Sequence, residues 1–379
     1  MIYFDAGATT LEKPEAVRAA MAEAVATMCS PGRGGYPATK KAEETAFACR
    51  MEAAELFGVD SPEKVIFTSN ATHGLNVAIR SLVKPGGRVA ISGYEHNSVL
   101  RPLYAIDDME LTVVDSPLFD SQRALEEFRQ VLRRGVDVVV CTHVSNVFGY
   151  VLPVEELAKE CRSNGVPLIV DASQSAGVLP VRMDVLQPAF IAMPGHKGLY
   201  GPQGTGLLLC SDWPTATLLS GGTGSVSRLR RMPDDLPDRL EAGTHNMPGI
   251  AGLLEGLRFV RRTGLQQIAK REREVVSAAA EQLRKIPQVR LYADESFVNQ
   301  TGVLSFTVDG MDCEKVGSLL AEKGIAVRAG LHCSPLAHQT VGTGEGGTVR
   351  ISVSVFNTAK QAEIFSRELS GIIRENVRF

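Results

Sequence analysis

The sequence predicts an α/β protein: a large domain built on a mostly parallel sheet, followed by a smaller α+β C-terminal domain. Three observations carry this. From residue 64 onward, short Val/Ile-rich runs alternate with amphipathic stretches in a β-α-β rhythm. The runs are apolar without interruption, as in strands covered on both faces by helices. After a long helical stretch the alternation resumes in a shorter segment. With 379 residues and roughly 150 per domain, two to three domains are expected.

The first strand, over 64–68 (KVIFT), leads into a helix over 72–83, and a second, over 88–92 (RVAIS), into a helix over 96–105. Strands over 111–114, 137–141 (DVVVC) and 167–170 (PLIV) follow, separated by helices near 121–134 and 154–163; 190–193 and 206–210 extend the set. Ligands of such sheets gather at the carboxyl ends of the strands, so the motifs following these runs are the ones to weigh. A Gly-, Pro- and Arg-rich loop over 221–245 precedes one long bridging helix over 250–286. Beyond it come a strand over 303–308, a helix over 314–323, strands over 325–328 and 348–353, and a final helix from 358 whose Phe365, Leu369, Ile372 and Ile373 share one face. The expected division is an arm (1–12), a large domain (13–249), and a bridging helix with the small domain (250–379).

Hydrophobic residues make up 44% and charged residues 22% of the chain, an ordinary globular balance. A net charge of -3 gives no field to draw a polyanion or an anionic lipid surface, so neither nucleic acid nor membrane is an expected partner. Arg228, Arg230 and Arg231 read as a solvated loop. Seven cysteines without C-x-x-C pairing predict neither a disulfide framework nor a zinc site, and no metal is expected. The opening Met-Ile-Tyr-Phe-Asp lacks a basic and then apolar leader, and the reading is a reduced, cytoplasmic protein.

The most informative segment is 168–202. Asp171 ends the run Leu168-Ile169-Val170, Gln174 stands three positions on, and Lys197 follows 190–193 within Pro-Gly-His-Lys-Gly. A desolvated lysine holds a carbonyl cofactor as a Schiff base, and an aspartate keeps a pyridinium nitrogen protonated, which strengthens an electron sink. Singly, Asp171 reads more simply as a helix cap and Lys197 as a surface lysine in a Gly-rich turn. Together they point to pyridoxal phosphate.

With these residues in view, nearly the whole chain resembles the class V aminotransferase and cysteine desulfurase family of pyridoxal phosphate enzymes. Tyr3 to Thr10, Phe67 to Asn76, Glu95-His96, His143 to Asn146, Glu241 to Thr244 and Arg350 to Thr358 fall in family order. The resemblance implies the fold type I of pyridoxal phosphate-dependent transferases. It also implies roles: Ala71, Thr72 and His196 on the cofactor phosphate, His96 stacked on the ring and relaying a proton, and Gln174 on the ring oxygen. Asn146 would lie near the ring or the substrate carboxylate, Arg350 on that carboxylate, and Thr244 on the phosphate of a neighbouring subunit in a homodimer. Each has an ordinary alternative as a cap, a buried amide or a structural ion pair.

Of the seven cysteines, Cys333 alone lies in a family motif, Val327 to Leu336, beside His332 and near Arg328, neighbours expected to favour a thiolate. Cys49, Cys141, Cys161, Cys210 and Cys313 read as packing residues and Cys29 as a loop residue. The resemblance implies that Lys197 and Cys333 convert L-cysteine to L-alanine with sulfur captured as a persulfide and passed to an acceptor protein. L-selenocysteine is the alternative substrate, and its lyase reaction need not use Cys333. Further alternatives are an aminotransferase or another C-S lyase with Cys333 a bystander, and a non-enzymatic binding module of the same class. The last lacks a G-x-x-x-x-G-K-[ST] loop, because the glycines of 342–347 precede a strand. Pro194, an added Gly198, His73 and Leu331 depart from the family pattern.

Overall fold

The computed structural model describes residues 1–32 and 34–376; the last three residues of the expected C-terminal domain lie outside them. The strands in chain order are β1 (Ile2–Tyr3), β2 (Val65–Thr68), β3 (Arg88–Ser92), β4 (Glu110–Val114), β5 (Val138–Thr142), β6 (Leu168–Asp171), β7 (Phe190–Pro194), β8 (Gly206–Cys210), β9 (Val289–Tyr292), β10 (Val303–Val308), β11 (Ile325–Ala326), β12 (Arg328–Gly330) and β13 (Thr348–Ser352). Seven of them form one sheet in the order β2-β8-β7-β6-β5-β3-β4, parallel except for β8, which runs antiparallel to both neighbours. The mostly parallel sheet expected from the sequence is present.

Successive strand side chains point to opposite faces. Val89, Ile91, Val138, Val140, Ile169 and Phe190 enter one apolar cluster, and Ala90, Val139, Cys141, Val170, Ile191 and Met193 enter another. Both faces are dry, which is why the runs carry no polar alternation. A second sheet, β12-β13-β10-β9, is antiparallel and has its own core, in which Phe365, Leu369, Ile372 and Ile373 of the last helix pack on Leu304, Phe306 and Ile351.

The N-terminal arm joins this second unit. β1 pairs parallel with β11, and Phe4, fully buried, meets Phe365 edge-on at 5.9 Å. The single helix expected over 250–286 is two, Met247–Thr263 and Leu265–Leu283, separated at Gly264 with φ +82°. The apolar spacing continues on both sides of the glycine and hides the break. Helices Glu15–Thr27 and Pro37–Phe57 precede β2. Their buried faces are largely alanine, which leaves no strong apolar stripe in the sequence. Among the described residues no helix is long and apolar enough to cross a membrane.

Two loops that frame the candidate lysine cross at glycines. Gly177 has φ +84°, and a Cβ there would meet Gly198 O at 2.0 Å, while a Cβ on Gly198 would meet Ala176 O at 2.3 Å. The added Gly198 is therefore where the backbone after Lys197 rests on the loop after β6. Gly198→Ala is expected to lower stability by about 1–3 kcal/mol in denaturant unfolding, and an unchanged midpoint would contradict a tight crossing.

Candidate active site

The carboxyl ends of β2, β3, β5, β6 and β7 open on one cleft. Ala71 and Thr72 come to it after β2, His96 and Ser98 after β3, Asn146 after β5, Asp171 and Gln174 from β6, and His196 and Lys197 after β7. Eight of the residues expected from the sequence meet here. Thr244, Cys333 and Arg350 do not line the cleft. A wider cleft at the opposite end of the sheet contains Lys64, but that lysine is already paired with Asp60 and Asp212.

One end of the cleft suits a phosphate. Helix Ala71–Leu82 starts there, capped by Asn70, whose Oδ1 accepts from His73 N at 2.9 Å. Its first-turn amides and positive dipole end favour an anion. The Thr72 hydroxyl lies 2.7 Å from Ser98 Oγ, which lies 2.9 Å from His96 Nδ1. His196 Nδ1 is buried without a partner among the described residues.

The other end suits a cationic heteroaromatic nitrogen. Asp171, 2% exposed, receives both Ser173 N and Ser173 Oγ on Oδ1, which leaves Oδ2 for a donor in the cleft. Burial raises its pKa, while the Ser173 bonds and the Lys197 charge oppose that rise. Glu95 lies behind it, fully buried. Ser92 Oγ and Thr142 N donate to Glu95 Oε1 at 2.5 and 2.7 Å, Oε2 is unpartnered, and Thr142 is the register partner of Asp171. Burial pushes Glu95 up to about 8, so it is mostly an uncharged acid at neutral pH.

Ser98 N donates to His96 Nδ1 at 3.0 Å, so that nitrogen is unprotonated and Nε2 carries the hydrogen. Burial, then the Lys197 charge, holds His96 down to about 4, so its ring is neutral. Lys197 is half-buried in the cleft and has no ion-pair partner among the described residues. Burial first, then Arg350, brings it down to about 8. Gln174 Nε2, expected on a ring oxygen, donates to Gly7 O at 2.9 Å.

Arg350 on β13 is 2% exposed. Its Nη2 donates to Asp5 Oδ1 at 2.9 Å and its Nη1 to Asn146 O at 2.8 Å, while Nε is buried without a partner among the described residues. The anionic partner expected from a substrate is thus supplied by the N-terminal arm, and Asp5 also takes Arg328 Nη2 at 2.7 Å. Cys333 is exposed; the five cysteines read as packing residues are buried, and Cys29 is intermediate. The charge expected of His332 is absent, because burial holds that ring down to about 2. Thr244 is exposed on a separate loop anchored by Glu241, which Arg50 grips at 2.6 and 2.8 Å.

Asp5, Ser98 and Ser173 carry no role in the sequence alone. Asp5 stands inside the quoted N-terminal motif, and Ser98 and Ser173 each follow a candidate residue by two positions, the spacing of a side chain that bonds a neighbouring turn.

The aminotransferase class-V family profile matches residues 2–365. A probable cysteine desulfurase of Methanothermobacter thermautotrophicus is 31% identical over 98% of this chain and 94% of its own length. The apo structure of a cysteine desulfurase from Thermococcus onnurineus superposes with a TM-score of 0.92 at 31% identity, covering 99% of this chain and 95% of that one. The cysteine desulfurase CsdA from Escherichia coli, in its S-sulfonic acid form, gives 0.87 at 25% identity over 99% and 95%. The chain belongs to the class V aminotransferase family of pyridoxal phosphate-dependent enzymes, whose fold type I it shares.

Proposed function

We propose that this protein is a cysteine desulfurase that converts L-cysteine to L-alanine and takes the sulfur onto Cys333 as a persulfide. The observation that carries this reading is a half-buried Lys197, without an ion-pair partner among the described residues, that shares one cleft with Asp171, while Cys333 is the one exposed cysteine among the described residues. The donor set fits pyridoxal phosphate: Thr72, Ser98, His196 and the first amides of helix Ala71–Leu82 for the phosphate, Asp171 Oδ2 for the ring nitrogen, and Lys197 for the aldehyde carbon. When bound, the cofactor supplies an electron sink for the pair left at the substrate Cα.

Lys197 is a base held close to neutrality, suited to taking the Cα proton. His96 presents a neutral ring to the cleft and adds no charge that would compete for Asp171. Arg350 would take the substrate carboxylate by exchanging Asp5 for it, because the guanidinium is paired with Asp5 outside the cleft. The Cys333 thiolate attacks the substrate sulfur: an S–S bond forms, the Cβ–S bond breaks, and its electron pair leaves with the three-carbon fragment, which takes up protons as alanine. Sulfur is oxidised and carbon reduced, so no outside oxidant is needed. The exposure of Thr244 outside the cleft supports a homodimer in which it reaches the partner's phosphate site, and the exposure of Cys333 supports handover to an acceptor protein.

Cys333→Ala is expected to lower sulfide release from L-cysteine, measured with a reductant, by on the order of a hundredfold, with the cofactor absorption unchanged. Its selenium release from L-selenocysteine should fall less, because the C–Se bond is weaker; undiminished sulfide release would falsify the persulfide route. Lys197→Ala should lose the bound-cofactor absorption band, and an unchanged spectrum would remove the lysine from its role. With Lys197 lowered to about 8, cofactor uptake by stripped enzyme should accelerate as pH rises through about 8, where the neutral amine becomes abundant. An inflection near the ordinary lysine value of 10.5 would contradict its burial.

A further inference from the structure

Cys333 is the second of two consecutive non-glycine residues in the left-handed region, His332 at φ +51° and Cys333 at φ +57°. Side chains with a Cβ rarely occupy that region, and such a pair persists only where its surroundings over-determine it. Here the carbonyls on both sides of the Cys333 Cα are held. Asn146 Nδ2 donates to His332 O at 2.8 Å, and Asn97 N donates to Cys333 O at 2.9 Å. The hydroxyl of Ser334, fully buried, closes the arrangement by donating to Asn146 Oδ1 at 2.6 Å.

Both ends of the Asn146 amide are therefore engaged by residues flanking Cys333. The orientation of that amide follows from chemistry: the His332 carbonyl can only accept, so the nitrogen must face it, and the oxygen is left for the Ser334 hydroxyl. The Asn146 backbone is itself fixed, because Arg350 Nη1 donates to Asn146 O at 2.8 Å. Asn146 lines the cleft while Cys333 does not, so this one amide connects the cleft to the turn at its rim.

We propose that Asn146 and Ser334 form a clamp that positions Cys333, holding the strained turn of residues 332–334 so that its thiol faces solvent at the rim of the cleft. The proposal rests on the desulfurase reading for its kinetic consequence but not for its structural one. The resemblance gave Asn146 to the cofactor ring or the substrate carboxylate; the clamp instead makes it a positioning residue acting through Cys333.

The test uses holoenzyme carrying Ser334→Ala, which removes one clamp bond outside the cleft, Ser334→Thr, which keeps the hydroxyl, and Asn146→Asp, which keeps the shape but loses the donor to His332 O. Two quantities are read: the alkylation rate of Cys333 by iodoacetamide without substrate, and kcat and KM for L-cysteine, with the cofactor absorption as a check on folding. Ser334→Ala and Asn146→Asp are expected to change the alkylation rate several-fold and to lower kcat about ten- to a hundredfold with KM little changed, and Ser334→Thr to restore both. Wild-type alkylation in Ser334→Ala and Asn146→Asp overturns the clamp, as does a raised KM at unchanged kcat in Asn146→Asp, which would return the amide to the substrate. A wild-type enzyme that makes no alanine from L-cysteine overturns the desulfurase reading alone, because the alkylation measurement stands without it.

Discussion

A guanidinium withdrawn from water holds the parts of this site together. Arg350 is 2% exposed, and burying an ion costs several kcal/mol unless a partner offsets it. Asp5 is that partner, delivered by an arm that is itself tied down through β1 on β11 and through Phe4 against Phe365. The same carboxylate takes Arg328, and the other side of Arg350 grips the Asn146 backbone. Arm, small sheet and the loop after β5 thus share one charge-balanced junction. Removing Asp5 would leave the guanidinium buried without an anion, a loss on the order of 3–5 kcal/mol.

Dryness also sets the charge state of the cleft and of the groups around it. Burial holds His96 and His196 down to about 4 and His332 to about 2, raises Glu95 to about 8 and lowers Lys197 to about 8. Three histidines and one carboxylic acid are then mostly uncharged near neutrality. Asp171 is left without a competing cation from any histidine, and its interaction with a ring nitrogen gains strength where water is scarce. The uncharged Glu95 serves the same end, because a second carboxylate beside Asp171 would push the first toward protonation.

The parallel sheet was legible in the sequence because double-sided burial writes itself as unbroken Val/Ile runs, and Asp171 and Lys197 were legible because they follow two of those runs. Partners joined only by folding were not. Asp5 lies 345 residues from Arg350, Gly7 lies 167 from Gln174, and Asn146 lies 186 from His332. A single sequence carries no trace of such pairings. His332 misled for a related reason: adjacency to Cys333 suggested a cation, but its ring is buried against Thr348 and neutral. The alanine-rich helices before β2 and the break at Gly264 were hidden by the absence of a distinct apolar stripe and by a stripe that runs on too smoothly.

In the desulfurase reaction one cysteine receives sulfur while alanine leaves. The most direct measurement is a single turnover of the holoenzyme with L-cysteine, quenched with an alkylating reagent, with peptide mass and released amino acid determined together. One additional sulfur on the peptide containing Cys333, in equal amount to the alanine formed, is the predicted result. Alanine formed with no added sulfur on that peptide, or a keto acid in place of alanine, would contradict it.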